Sequence, residues 1–192
     1  MLESPTHSDG DLLRLMRAGD EQAFTALYRR HQGPVFRFAL QMGGSTEMAE
    51  EVTQEVFMIV MRDSKQYDPD RGPLSAYLFG IARNLVLRFL QRERPYLVSS
   101  DEAESDRLEN VPARQDVFGE LHRNQEIESL RRAVLALPPN YREVVVLCDL
   151  HEMDYAEAAA VIGCAVGTVR SRLHRARALL MEKMRAADRC PA

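Results

Sequence analysis

Long apolar runs are missing from this chain, and no stretch approaches the roughly 20 residues that a membrane-spanning helix needs. Its first residues are polar and acidic, without the cationic flank and apolar centre of a secretory signal, so a cytoplasmic protein without membrane attachment is expected. Cysteine is scarce: Cys148, Cys164 and Cys190 are odd in number and widely spaced, which excludes a disulfide framework and suits a reducing compartment. Tryptophan is absent, and no segment shows convincing strand-like alternation, which leaves helices as the building material. Lysine is nearly missing too, with 2 residues against 23 arginines. The planar arginine fork suits phosphate and base edges, although a GC-rich genome produces the same bias.

The net charge of −4 would argue against a nucleic-acid binder if it were evenly spread. It is not. Residues 1–95 carry 12 cations and 13 anions, residues 96–125 carry 3 and 7, and residues 126–192 carry 10 and 9. The middle stretch holds SSDEAESDRLEN and Pro112, with few large apolar residues, and reads as a flexible acidic linker. On this basis the chain is all-α: two small helical domains at 11–95 and 126–186, joined by the linker at 96–125. Residues 1–10 and 187–192 are expected to be a disordered N-terminus and a C-terminal tail.

In the first domain, Asp11–Ala18 is read as a short amphipathic helix stopped by Gly19. Asp20 caps a second helix, in which Pro34 predicts a kink or a break, and Gly43-Gly44 ends it. Ser45 caps a third, with Glu47, Glu50 and Glu51 in its opening turns and Met48, Val52, Val56, Ile59 and Val60 as its buried stripe. Asp68-Pro69-Asp70-Arg71-Gly72-Pro73 is dense turn chemistry and predicts a tight loop. A fourth helix follows over Leu74–Arg94, whose far end, Arg83–Arg94, sets four arginines against Glu93. In the second domain, helix resumes near Glu126, breaks at Pro138-Pro139 and restarts at Asn140.

The most informative stretch is Met153–Leu180, MDYAEAAAVIGCAVGTVRSRLHRARALL. Asp154, with Glu157 three residues on, has the spacing of a capping box. A short helix then runs to Ile162 and stops at Gly163, and a second starts near Val166. The apolar stripe of that second helix is Val166, Val169, Leu173, Ala176 and Leu180, at steps of 3, 4, 3 and 4. Val166–Arg185 carries six cations against one anion, where a merely solvated helix would mix signs. Two short helices joined by a glycine turn, the second cationic outside, read as a helix-turn-helix whose second helix enters the major groove.

Three blocks together resemble the group 4, or extracytoplasmic-function (ECF), sigma factors of bacterial RNA polymerase, in the sigma-70 family. They are AEEVTQEVFMIVMR (Ala49–Arg62), YDPDRGPLSAYLFGIARN (Tyr67–Asn84) and the whole of Leu137–Leu180. The resemblance implies a σ2 domain at 11–95 and a σ4 domain at 126–186 with no σ3 between them. It implies promoter DNA and the core polymerase as partners, the latter through its β′ clamp and β flap, and leaves room for an anti-sigma factor. No cofactor, metal or covalent chemistry is implied. Glu51, Gln54 and Glu55 match the polar positions of the helix that docks on the clamp. Tyr67 and Asp68 open the loop that captures a flipped −10 base, and Asn84 and Arg88 match −10 positions on the helix after it. Arg170, Ser171, Arg172, His174 and Arg175 match the helix that reads the −35 element. The chain departs from the family at Tyr77, where tryptophan is common, and at Arg88, where Asp or Asn is common.

Two other readings compete. A helix-turn-helix regulator acting without polymerase would usually dimerise, and no dimer seam is visible. A zinc or thiol enzyme using Cys148, His151, Cys164 and His174 rests on motif spacing alone, and free cysteine more often packs as a small hydrophobe.

Overall fold

The computed structural model describes residues 7–93 and 123–188, and every regular element among them is helical. The expected linker falls almost wholly outside these residues, as do 1–6 and 189–192.

The first unit opens with α1 (Asp9–Arg17), whose Ser8 hydroxyl accepts from Asp11 N at 3.2 Å. The helix starts two residues earlier than its apolar pattern suggests. That start is fixed by the cap and by Asp9, which pairs with Arg30 at 2.6 Å and His31 at 3.0 Å on the next helix. Leu12 and Leu13 bury α1 against α2 (Glu21–Gly43). Asp20 caps α2 by accepting from Gln22 N and Ala23 N, and Gly44 ends it in the left-handed region at φ 81°. Of the kink or break expected at Pro34, the break does not occur, and α2 runs through the proline as one helix. Val35, Phe38 and Ala39, all buried just beyond, hold the chain helical across the proline.

Ser45 caps α3 (Thr46–Asp63) by accepting from Met48 N at 3.2 Å. Met48, Val52, Val56 and Val60 are buried as their spacing predicts, while Ile59, expected in the same stripe, is only half-buried. Two short 3₁₀ turns, Ser64–Gln66 and Pro69–Arg71, then carry the chain into α4 (Leu74–Glu93).

The second unit begins with α5 (Arg123–Leu135), whose first residues lie inside the stretch read as linker. Pro139 occupies the first turn of α6 (Pro139–Val145), where its missing N–H costs nothing. The helix continues as a π-helical segment, Val146–Leu150, closed by His151 N donating to Val146 O at 3.0 Å. The helix-turn-helix pair α7 (Tyr155–Ile162) and α8 (Val166–Asp188) completes the unit.

The two units are not held by a tether alone. α4 packs on α7, and α2 on α5, α6 and the π-helical segment, so that the buried apolar side chains of both units form one continuous cluster. Polar contacts cross the same seam. Arg83 Nε of α4 donates to Glu143 Oε2 of α6 at 2.7 Å, and Arg142 donates to the Met42 carbonyl. His151 Nε2 meets Gln41 Oε1 at 2.9 Å, its ring edge-on to Phe79 at 4.9 Å. Leu135 fits against Gly44 so closely that a methyl group there would lie 3.1 Å from its Cδ1.

Candidate nucleic-acid interface

The recognition-type helix is set by its turn. The Asp154 carboxylate accepts from Ala156 N and Glu157 N, both at 2.8 Å, and starts α7. Gly163 takes φ 78°, a conformation that other residues adopt at a cost, and so turns the chain into α8. Val169, Leu173 and Ala176 are buried at 0–2 % exposure, which fixes the rotation of α8 about its axis. The opposite face therefore points outward, with Arg170, Ser171, His174 and Arg175 exposed.

The cations of α8 are not equivalent. Arg172 is half-buried and lies 3.4 Å from the buried Glu143 carboxylate, so it braces the helix from beneath. Arg177 grips Asp149 through two hydrogen bonds of 2.6 and 3.1 Å, which hold its proton more tightly than usual. Arg170 stacks over the Tyr155 ring, its guanidinium carbon 5.9 Å from the centroid. Arg175 and His174 make no ion pair or side-chain hydrogen bond among the described residues, and both are exposed.

On the first unit, the loop between α3 and α4 is closed on itself. Tyr67 donates its hydroxyl to Gly72 O at 3.2 Å, and its ring lies 5.6 Å from that of Tyr77. Burial, followed by the charges of Asp9 and Asp68, raises the Tyr67 phenol above its ordinary pKa and keeps it a donor. Asp68 is exposed, and one of its carboxylate oxygens accepts from Asp70 N at 3.0 Å. Asn84 and Arg88 are exposed one turn apart on α4, while their neighbour Arg83 is turned inward to Glu143.

The outward face of α3 bears Glu51 and Gln54, both exposed, and the half-buried Glu55. It continues into Met58 and Met61, which are 61 % and 56 % exposed. Sequence reasoning passed over these two methionines. Their signal was available, since Met58 falls between the buried positions 57 and 60 and Met61 follows 60, both off the buried stripe. Glu143 left no comparable trace, because its partners Arg83 and Arg172 are distant in sequence.

The side chains of the zinc or thiol reading are not assembled. Cys148 is half-buried, and burial first, then Asp149, pushes its thiol up to about 11, away from the reactive thiolate. His151 faces the other unit and His174 faces outward. Among the described residues no group of three His, Cys, Asp or Glu could hold a metal ion. No helix among them is long and apolar enough to cross a membrane.

A helix-turn-helix with an outward cationic face, packed on a helical unit with its own turn-bounded loop, has the build of a DNA-binding, all-helical factor. The family description "Sigma-70 region 2" matches residues 27–96, and "Sigma-70, region 4" matches residues 127–180. The chain is 34 % identical over 168 residues to the ECF RNA polymerase sigma factor SigE of Mycolicibacterium smegmatis, covering 85 % of this chain and 63 % of that one. It thus spans somewhat less than two thirds of that relative. It is 31 % identical over 176 residues to the ECF RNA polymerase sigma factor SigM of Mycobacterium tuberculosis, covering 90 % of this chain and 83 % of the other. Among solved structures it is similar to CnrH in complex with the cytosolic domain of CnrY, with a TM-score of 0.70 and 28 % identity, covering 94 % of this chain and 99 % of that one. The chain belongs to the ECF sigma factors of the sigma-70 family.

Proposed function

We infer that this protein is a dissociable promoter-specificity subunit, which directs core RNA polymerase to −35 and −10 elements and assists duplex opening. The observation that carries this is the outward presentation, on one chain, of a cationic recognition face and of the separate α3 and α4 faces. Arg170, Ser171, His174 and Arg175 read or grip the −35 element, with base edges recognised by the arginine fork and phosphates by charge. Arg172 supports that face through Glu143. Asn84, Arg88 and Asp68 serve the −10 element, and Tyr67 shapes the loop that receives a flipped base. Glu51, Gln54 and Glu55 dock on the cationic coiled coil of the polymerase clamp, and the second unit takes the β flap.

The protein performs no covalent chemistry, since its work is recruitment and strand separation, and it acts where the polymerase does, in the cytoplasm. An anti-sigma protein is the remaining partner. A solved neighbour held in complex with another protein's cytosolic domain supports such an encounter. Run-off transcription with core polymerase on genomic templates tests the reading. Discrete transcripts that require this protein are expected. Specific DNA binding by the protein alone, with no transcript in the presence of core enzyme, would instead establish a regulator that works without polymerase.

A further inference from the structure

The last turn of α1 reaches across the first unit to the entrance of the α3–α4 loop. Arg17 donates from Nε to Ser64 Oγ at 3.3 Å and from Nη2 to Ser64 O, so one guanidinium fork holds both the side chain and the backbone of one residue. Ser64 is only 5 % exposed and is the residue on which α3 ends. A cation at a helix C-terminus is also favoured by the helix dipole.

The same carbonyl has a second donor, Tyr67 N at 3.3 Å, which sets the direction in which the chain leaves the 3₁₀ turn. Three residues after Ser64, the Tyr67 hydroxyl returns to Gly72 O, and Gly72 holds φ 133°. The loop from Tyr67 to Gly72 is thus closed at its far end by Tyr67 and anchored at its near end by Arg17. Arg17 itself is fixed by α1, through buried Leu12 and Leu13 and through the Asp9 contacts with Arg30 and His31.

We propose that Arg17 is a positioning residue for base capture: by clamping Ser64 it preorganises the Tyr67–Gly72 loop for a base extruded from the −10 element. A loop held in its receiving shape before DNA arrives avoids an ordering cost at the moment of binding. Packing of α1 onto α2 alone requires only its apolar face. The Arg17 fork adds a directed, charge-assisted contact to the one residue from which the loop departs. The proposal rests on the sigma-factor reading above and extends it to a helix to which that reading gives no role.

The test uses holoenzyme made with bacterial core polymerase and a promoter fragment recovered from genomic DNA by the wild-type holoenzyme. The probe is that fragment with 2-aminopurine placed in turn at each −10 position of the non-template strand. Arg17→Ala is expected to slow the fluorescence rise of the flipped base roughly tenfold, the scale of one lost charge-assisted hydrogen bond. Arg17→Lys, which keeps the charge but loses the planar fork, recovers part of the rate. Tyr67→Phe, which loses the Gly72 contact but keeps the ring, falls with Arg17→Ala. Affinity for core polymerase and for the −35 duplex stays at the wild-type level in all three. Wild-type flipping kinetics in Arg17→Ala would overturn the proposal. So would equal losses in core binding, −35 affinity and flipping, because they would mark a general packing role. Failure of the wild-type holoenzyme to recover any promoter would sink the sigma-factor reading itself and this proposal with it.

Discussion

Arg83 and Glu143, 60 positions apart, meet at 2.7 Å across the seam between the two units, and Glu143 is 3 % exposed. The same carboxylate lies 3.4 Å from Arg172 of the recognition helix. One buried charge is therefore shared by a helix of the first unit and by α8, the cationic helix of the second. Removing it strands two partly buried cations, whereas removing either arginine leaves the carboxylate one partner.

Glu143→Ala is expected to destabilise the protein by about 3 kcal/mol, the scale of a broken buried ion pair. Glu143→Gln, which keeps hydrogen-bonding capacity, should cost less. Urea unfolding followed by circular dichroism measures both. Hydrogen exchange should show α4 and α8 losing protection before α1 does. An unchanged midpoint for Glu143→Ala would mean that the shared carboxylate contributes nothing.

His151 makes the seam sensitive to pH. Burial, followed by the charge of Arg37, lowers its pKa from 6.5 to about 4 in the folded protein. The fold therefore prefers the neutral ring, held against Gln41 and the rings of Phe38 and Phe79. Its contribution is fully present above pH 6.5, where the ring is neutral even in the unfolded chain. It is lost progressively as pH falls from 6.5 towards 4, because the unfolded state takes up the proton first. The loss is on the order of 2 kcal/mol, once discounted for the solvent that the ring still meets. Asp9 behaves separately. Burial raises its carboxyl, but hydrogen bonds from His31 and Arg30 outweigh this and leave it below the usual value of 3.8. Its contribution is present above that value and is lost only below it. Stability measured from pH 7 to 4.5 should fall in wild type and stay flatter in His151→Gln.

Arg175 and Arg172 should part company under mutation. Arg175→Ala is expected to leave unfolding unchanged, since the side chain touches none of the buried stripe. It should cost the holoenzyme about 1–3 kcal/mol of promoter affinity, concentrated at one −35 position. Arg172→Ala should lower stability instead, by loosening Glu143. Promoter binding over a −35 mutant panel at several salt concentrations separates base contact from phosphate contact. A uniform loss with a salt slope lower by about one would assign Arg175 to phosphate.

Glu55→Lys should weaken core-polymerase binding at unchanged helicity, because it reverses one charge on the α3 face. Met58→Glu should do the same by removing apolar contact next to it. Fluorescence anisotropy of labelled protein against core enzyme measures each, and wild-type affinity in both would take α3 out of the interface.

Where a feature depends on neighbours in sequence, the residues announced it. Asp154 and Gly163 bound α7, Ser45 starts α3, Gly44 ends α2, and the stripe from Val169 to Ala176 fixes the outward face of α8. Local rules failed where tertiary packing decides. Pro34 carries a strong breaker signal, yet the buried residues beyond it keep α2 continuous. Arg172 looked like the other cations of α8, because nothing nearby reveals that Glu143 lies beneath it. Neither periodicity nor composition encodes a pair 60 residues apart, so the contact between the two units stayed invisible until the helices were placed.

Leu135 seated on Gly44 limits how freely the halves of such proteins can be exchanged. At φ 81° the glycine already tolerates few replacements, and the facing leucine adds a steric condition set by the other half. A chimera that joins this first half to a relative's second half inherits only one side of that fit. The pairs Leu135 with Gly44, Glu143 with Arg83, and His151 with Gln41 would each lose one member's native partner in such a chimera. For such an exchange the working unit is the pair of halves, because each carries half of the fit between them.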